Sequence, residues 1–317
     1  MDYNNWNMFW SVCFGVMAIL IVFGNCLSIL ILLKRRLRKR PHFLLISLAM
    51  ADLLVGLFAI PMYIVMWLTR QKLVSPLVSD CVDMFTGFSS VFTLVFISLE
   101  RLYAIARPFR HRLLALHSYL IAIATPWVLS LAVTSCRVLL GLAMIDSHQF
   151  LSVIITSLST PLVIMCIAYY VIWRKEASRL HHTFRARNEA RLSKTVLLVT
   201  GMFILTWMPF QVLVIVIVKC ATCRNVSFAV VFVIKLLQFS NSVLNFFIYC
   251  FRIPNYRHAL FSLLPSCNCC HLRNGVVHPF VESQTTSTTL LSFSTSMSMN
   301  RCQQSQKNAR TQTSPDT

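Results

Sequence analysis

The chain has 317 residues, 56% of them hydrophobic and only 12% charged, with a mean hydropathy of +0.67. A soluble domain carries about 25% charged residues, so a water-soluble globular class is excluded: a protein core cannot absorb this much apolar surface. The formal net charge of +19 would suit a nucleic-acid partner, but the basic residues fall between apolar runs and not on one face or stripe, so no nucleic-acid partner is expected.

Seven apolar segments follow one another, at residues 9–33, 43–68, 77–104, 119–142, 150–173, 196–218 and 227–250. Each is near or above the ~20 residues a helix needs to cross a bilayer. The expected fold class is therefore an all-α membrane protein, a seven-helix bundle over 9–250. Residues 1–8 form a short N-terminus, 251–264 an amphipathic eighth helix and 265–317 a cytoplasmic tail. Pro61, Pro126, Pro161 and Pro209 lie inside the segments, where neighbouring helices can re-satisfy the freed backbone groups. No internal repeat is visible, which argues against an inverted-repeat transporter.

Lysine and arginine set the expected orientation. The first connection, "KRRLRKRPH", carries six basic residues, and 174–194 carries seven. Arg107, Arg110 and Arg112 follow the third segment. The opposite side has Arg70, Lys72, Lys219 and Arg224. The basic side is expected to be cytoplasmic in a cell membrane, with the N-terminus outside and the tail inside. The first eight residues show no cleavable signal pattern, so the first helix is expected to act as insertion signal. With so short an outer N-terminus, a ligand site is expected within the bundle or its short outer loops, for a small molecule or short peptide.

Polar residues inside spanning helices are expensive and usually functional. Asn25, Asp52, Ser90, Asn241, Ser242 and Asn245 are such residues. Asparagine and serine can simply join helices by hydrogen bonds. Asp52 is harder to explain that way, and its hydroxyl and amide neighbours make a hard-oxygen set suited to Na⁺ or a proton.

Gly24-Asn25, "LAMAD", "SLERLYAIARP", Trp127, Pro161 with Tyr169, "FILTWMPF" and "NFFIY" occur in this order, one set per segment. Together they make the chain resemble a rhodopsin-like (class A) G-protein-coupled receptor over residues of about 9 to 264. The resemblance implies a receptor that activates heterotrimeric G proteins. Arg101 matches the family's switch arginine, with Glu100 in place of the usual aspartate and Leu102 in place of the usual tyrosine. Glu189, 18 residues before Trp207, matches the acid that locks this arginine in the inactive state; as a plain residue it would be a solvated charge in a basic loop. Tyr169, Asn245 and Tyr249 complete the implied switch. Trp207 and Pro209 match the family's toggle and kink. Phe203, Pro161 and Val91 match its packing cluster. Asp52, Ser90, Asn241, Ser242 and Asn245 match its sodium pocket, so Na⁺ is implied as an allosteric ion and no other cofactor. Phe246 stands where the family has a proline.

The same resemblance places a ligand site at Asp83, Ser157, Trp207, Phe210, Gln211, Lys235 and Phe239. Asp83, 18 residues before Arg101, matches the aspartate with which aminergic receptors hold an ammonium, and Trp207 or Phe210 can add cation–π attraction. Two features depart from that pattern. Lys235 can reach across to Asp83, and Phe239 replaces a bracing tyrosine. An Asp83–Lys235 pair is expected without ligand, which an amine, a zwitterion or a short peptide would break or bridge; the plain alternative is that Lys235 snorkels outward. A helix-seven lysine also raises an opsin, but that lysine would fall at Phe239, about 6 Å deeper, so an opsin is disfavoured. A lipid or peptide receptor is the alternative within the family, and a seven-helix channel or transporter the alternative outside it. No nucleophile–base arrangement or phosphate-binding loop is present, so no enzyme is expected.

The family often ties the third helix to the second outer loop by a disulfide, but its position is Pro76 here. Cys81 and Cys136 are conceivable substitutes, their pairing open. Cys220 and Cys223 can close a small outer-loop disulfide, and "NVS" at Asn225 is a glycosylation sequon close to the membrane. "FRIPNYRHALFSLL" suits an amphipathic interfacial helix, followed by Cys267, Cys269 and Cys270 as candidate palmitoylation sites anchoring the chain to membrane lipids. A serine- and threonine-rich tail offers phosphorylation sites, implying a receptor kinase and arrestin as partners.

Overall fold

In the computed structural model, the described residues are 5–34, 42–69, 71–177, 184–220, 226–252, 256, 257 and 260. They all fall within one compact unit, 1–266. Seven helical stretches among them are long and apolar enough to cross a membrane: Met8–Leu33, His42–Leu68, Pro76–Ala106, Leu116–Gly141, Ser147–Lys175, Gly201–Lys219 and Phe228–Ile248.

α1 (Asn5–Leu33) is apolar nearly all round, and its outward face leaves Val12, Val16, Ile19 and Phe23 exposed. Such a belt is covered in a bilayer, not in water. The second crossing is interrupted. α2 (His42–Leu54) passes through a π-helical turn (Val55–Ala59) into α3 (Ile60–Leu68). The turn ends two residues before Pro61, whose missing N–H and ring obstruct regular helix, and a wider turn is one way to accommodate them. Gly56 within it lies against α1, where a Cβ would stand 2.9 Å from side-chain carbons of Ile21 and Val22.

α4 (Pro76–Ala106) is the central column, with buried positions along most of its length and neighbours in α2, α3, α6, α7 and α8. Pro76 starts it, a position where the missing N–H costs nothing, and Arg107, kept out of the helical region before Pro108, ends it. A short α5 (Pro108–Arg112) leads to α6 (Leu116–Gly141), which pins itself to the core by polar contacts. Trp127 donates its indole N–H to Ser47 at 3.0 Å, and the Ser130 hydroxyl donates to the Phe85 carbonyl. α7 (Ser147–Ala177), α8 (Phe184–Lys219) and α9 (Phe228–Arg252) complete the bundle.

One buried cluster runs through the bundle from Phe88 and Trp207 through Val91 and Phe203 to Tyr169, Ile105 and Tyr256. A second gathers Phe14, Phe232 and Phe239 with Tyr63 and Trp67 at one end. Tyr256, 1% exposed, shares a 2.7 Å hydrogen bond with Ser28 of α1. It and Arg257 are helical, while most of the expected eighth helix lies outside the described residues.

Candidate functional site

A cavity of about 330 Å³ opens among α3, α4, α6, α7, α8 and α9. Asp83 comes from α4, on the face that the spacing to Arg101 selects, and Lys235 from α9. Their side chains meet: the Lys235 ammonium donates to Asp83 Oδ2 and, at 3.1 Å, to Gln238 Oε1. The same ammonium lies 4.8 Å from the Phe210 ring centroid, 5.2 Å from that of Phe239 and 6.0 Å from that of Tyr63. Lys235 does not snorkel; it is buried in an aromatic cage that a cation favours.

A second pair lies nearby. Asp80, on the Asp83 face of α4, accepts from Arg137 of α6, with Oδ2 3.2 Å from Nε and 2.9 Å from Nη2. Asp80, Arg137, Tyr63, Trp67, Phe88 and Phe150 line the cavity together with Asp83, Trp207, Phe210 and Lys235. The indole N–H of Trp207 is buried with no hydrogen-bond partner among the described residues. Asp80 and Arg137 did not figure in the expected site, although a charge inside the apolar run 119–142 was itself a signal.

Two expected ligand residues sit elsewhere, and a third reaches the site only through the cage around Lys235. Ser157 does not line the cavity; Phe150 and Ile154 are the α7 residues that do. Gln211 turns towards α7 and donates to the Ser159 hydroxyl at 2.8 Å. Phe239 is buried behind Lys235, with its ring against Phe14 and Tyr63. In each case helix packing, which spacing alone does not fix, decides which face reaches the cavity.

Deeper in the bundle, Asp52 is fully buried and accepts three hydrogen bonds. Ser90 and Ser242 hydroxyls reach Oδ1 at 2.9 and 2.8 Å, and the Asn245 amide reaches Oδ2 at 2.8 Å. Four of the five expected oxygen-bearing residues thus converge. Asn241 is buried but makes no hydrogen bond to this carboxylate. The residues present suit a hard cation, which a carboxylate and two hydroxyl oxygens can coordinate.

At the far end, Glu100 divides its carboxylate. Oε2 is 2.7 Å from Arg101 Nε and Oε1 is 2.6 Å from His111 Nε2, which also meets the Tyr119 hydroxyl at 3.2 Å. His111, contributed by α5, was missed by the sequence reading. Tyr169 is buried and hydrogen-bonded to Ser98 at 3.2 Å. The side chains of Glu189 and Tyr249 lie outside the described residues, as do Asn225, Cys267, Cys269 and Cys270. Cys220 is disulfide-bonded, while Cys223 lies outside the described residues. Cys81 and Cys136 are both free, which removes them as a substitute disulfide.

Comparison with known proteins agrees with the seven-helix architecture. The model of the 7 transmembrane receptor (rhodopsin family) matches residues 24–149 and 133–249. Similar curated proteins include a histamine H2 receptor of Cavia porcellus, 27% identical over 88% of this chain and 84% of its own length. An adenosine receptor A3 of Bos taurus is 25% identical over 82% and 90%. An octopamine receptor beta-2R of Drosophila melanogaster is 23% identical over 80% of this chain and 61% of its own length. The chain belongs to the rhodopsin family of seven-transmembrane receptors: a multi-pass membrane protein and a receptor, not an enzyme.

Proposed function

We propose that this receptor binds a small extracellular ligand in the cavity around Asp83 and Lys235 and activates heterotrimeric G proteins from its opposite end. The observation that carries the reading is continuity. Trp207 both lines the cavity and belongs to the buried cluster that extends through Phe203 to Ile105 and Tyr169. A ligand that shifts the indole therefore repacks the column beside Arg101, and packed interiors respond in discrete rearrangements. The lysine- and arginine-rich connections support an orientation with the Arg101 end in the cytoplasm and the N-terminus outside. Asp52, Ser90, Ser242 and Asn245 hold Na⁺ in the inactive state. The tail beyond residue 265 engages a receptor kinase and arrestin, with acylated cysteines anchoring it to lipid.

The full-length receptor in membranes with a purified G-protein heterotrimer tests this reading. Nucleotide exchange is measured against a panel containing histamine, octopamine, adenosine and free amino acids. Ligand-evoked exchange is expected in the wild type and its loss in Arg101→Ala, with surface expression unchanged. Undiminished exchange in Arg101→Ala removes the switch assignment.

A further inference from the structure

We infer that the cavity selects a small zwitterion of the amino-acid type, bearing one ammonium, one carboxylate and an apolar body, over the amine cation lacking the carboxylate. This rests on the reading of the cavity as the ligand site.

The first observation is charge balance. Among the described residues, four charged side chains line the cavity: Asp80 and Asp83 against Arg137 and Lys235. Their formal sum is zero, and each acid is already met by a base. A site whose acid stands alone attracts a cation. Here a monoamine reaching Asp83 must displace Lys235, leaving an ammonium buried among Tyr63, Phe210 and Phe239 with Gln238 as its remaining polar partner. Removing one member of a buried pair is the costly operation.

A zwitterion avoids this. Its ammonium takes the place of Lys235 on Asp83, and its carboxylate takes the place of Asp83 on Lys235. One ion pair becomes two, and the cavity remains neutral.

The second observation is the contrast between the two pairs. Side-chain exposures are 17% for Asp83 and 11% for Lys235, against 48% for Asp80 and 20% for Arg137. The inner pair is desolvated, so its contacts count more than those at the wetter rim. Lys235 is thus the residue that specifies the acid. Arg137 at the rim binds Asp80 through Nε and Nη2; Nη1 makes no hydrogen bond among the described residues, and its planar fork suits an incoming carboxylate.

The third observation is size and wall. About 330 Å³ lies at the small end of ligand sites, and Trp67, Phe88, Phe150 and Ile154 offer apolar walls for a side chain.

Matched pairs that differ only by the carboxylate test the inference: phenylalanine with phenethylamine, tyrosine with tyramine, histidine with histamine, tryptophan with tryptamine. Binding to the purified full-length receptor is read as thermal stabilisation, independent of any G protein. At least one amino acid is expected to bind about tenfold or more tightly than its amine, one lost ion pair being worth at least that factor. Lys235→Met should abolish the preference and Lys235→Arg retain it. Tighter binding by the amines, no binding by either member of any pair, or an undiminished preference in Lys235→Met overturns the inference. If Lys235→Met does not fold, the wild-type comparison still decides. Stabilisation by amino acids without nucleotide exchange would leave this inference standing and remove the coupling reading instead.

Discussion

Gly87 of α4 lies so close to the indole of Trp207 that a Cβ on residue 87 would stand 3.0 Å from Cη2. The Trp207 ring also packs on Phe88, Phe203 and Phe210, so it has little room to retreat. Gly87→Ala should move the indole and change basal nucleotide exchange. Gly87→Val should destabilise the receptor by roughly 1–3 kcal/mol through overpacking. Tryptophan fluorescence and thermal melting provide the check, and unchanged signals in both variants would refute the contact.

The Asp83–Lys235 pair predicts a non-additive cycle. Asp83→Asn or Lys235→Met alone should cost about 3–5 kcal/mol, seen as lowered expression or thermal stability, while the double variant should recover most of it. Simple addition of the two single effects would show that the residues are not coupled.

Phe246 stands where the family has a proline, and Gly24 of α1 makes room for it. A Cβ on Gly24 would meet Phe246 Cγ at 3.0 Å and its Cβ at 3.2 Å. Gly24→Ala should therefore cost about 1–3 kcal/mol in the native chain and far less alongside Phe246→Ala. Melting temperatures of the four proteins in that cycle measure the coupling.

Glu100 serves Arg101 and His111 at once. His111→Phe should release the second carboxylate oxygen to Arg101, hold the arginine more firmly and lower basal exchange. A hydrogen bond's worth of redistribution, about 1 kcal/mol, changes the closed-to-open ratio roughly fivefold. Raised exchange in this variant would mean that His111 itself holds the closed form.

Sodium should favour the inactive state, and Asp52→Asn should remove its effect on exchange and on thermal stability. Asn241→Ala should disturb the sodium response less than Ser90→Ala, because only Ser90 of the two touches the carboxylate. A sodium response that survives Asp52→Asn would place the ion elsewhere.

Much of the fold was legible because hydrocarbon imposes a simple length and composition rule. The first span, expected at 9–33, runs Met8–Leu33, and the last, expected at 227–250, runs Phe228–Ile248. α8 begins at Phe184, well before its apolar part, because its polar N-terminal extension leaves no hydropathy signal. The π-helical turn ahead of Pro61 was not legible either, since a proline announces an irregularity but not its form. In the site, Asp83 with Lys235 and Asp52 with Ser90 were readable, being costly residues that need partners. Ser157 and Gln211 were misplaced: a helix turns about 100° per residue, so small differences in packing choose between adjacent faces. His111 lay beyond reach because only the α4–α5 corner brings it back to Glu100.

The polar ties described above also distribute stiffness unevenly. The Asn25 amide donates to the Ser242 carbonyl at 3.1 Å, and Ser28 holds Tyr256, so α1 is laced to α9 and to the segment beyond it. α6 is riveted to α2 and α4 by Trp127, Ser130 and Arg137. α8 has, among the described side chains, the Gln211–Ser159 hydrogen bond and otherwise mainly apolar packing. Hydrogen bonds demand a fixed direction, whereas apolar surfaces can slide. Direction-fixing polar ties are thus concentrated in α1, α2, α4, α6 and α9, while α8 is held mainly by surfaces that set no direction.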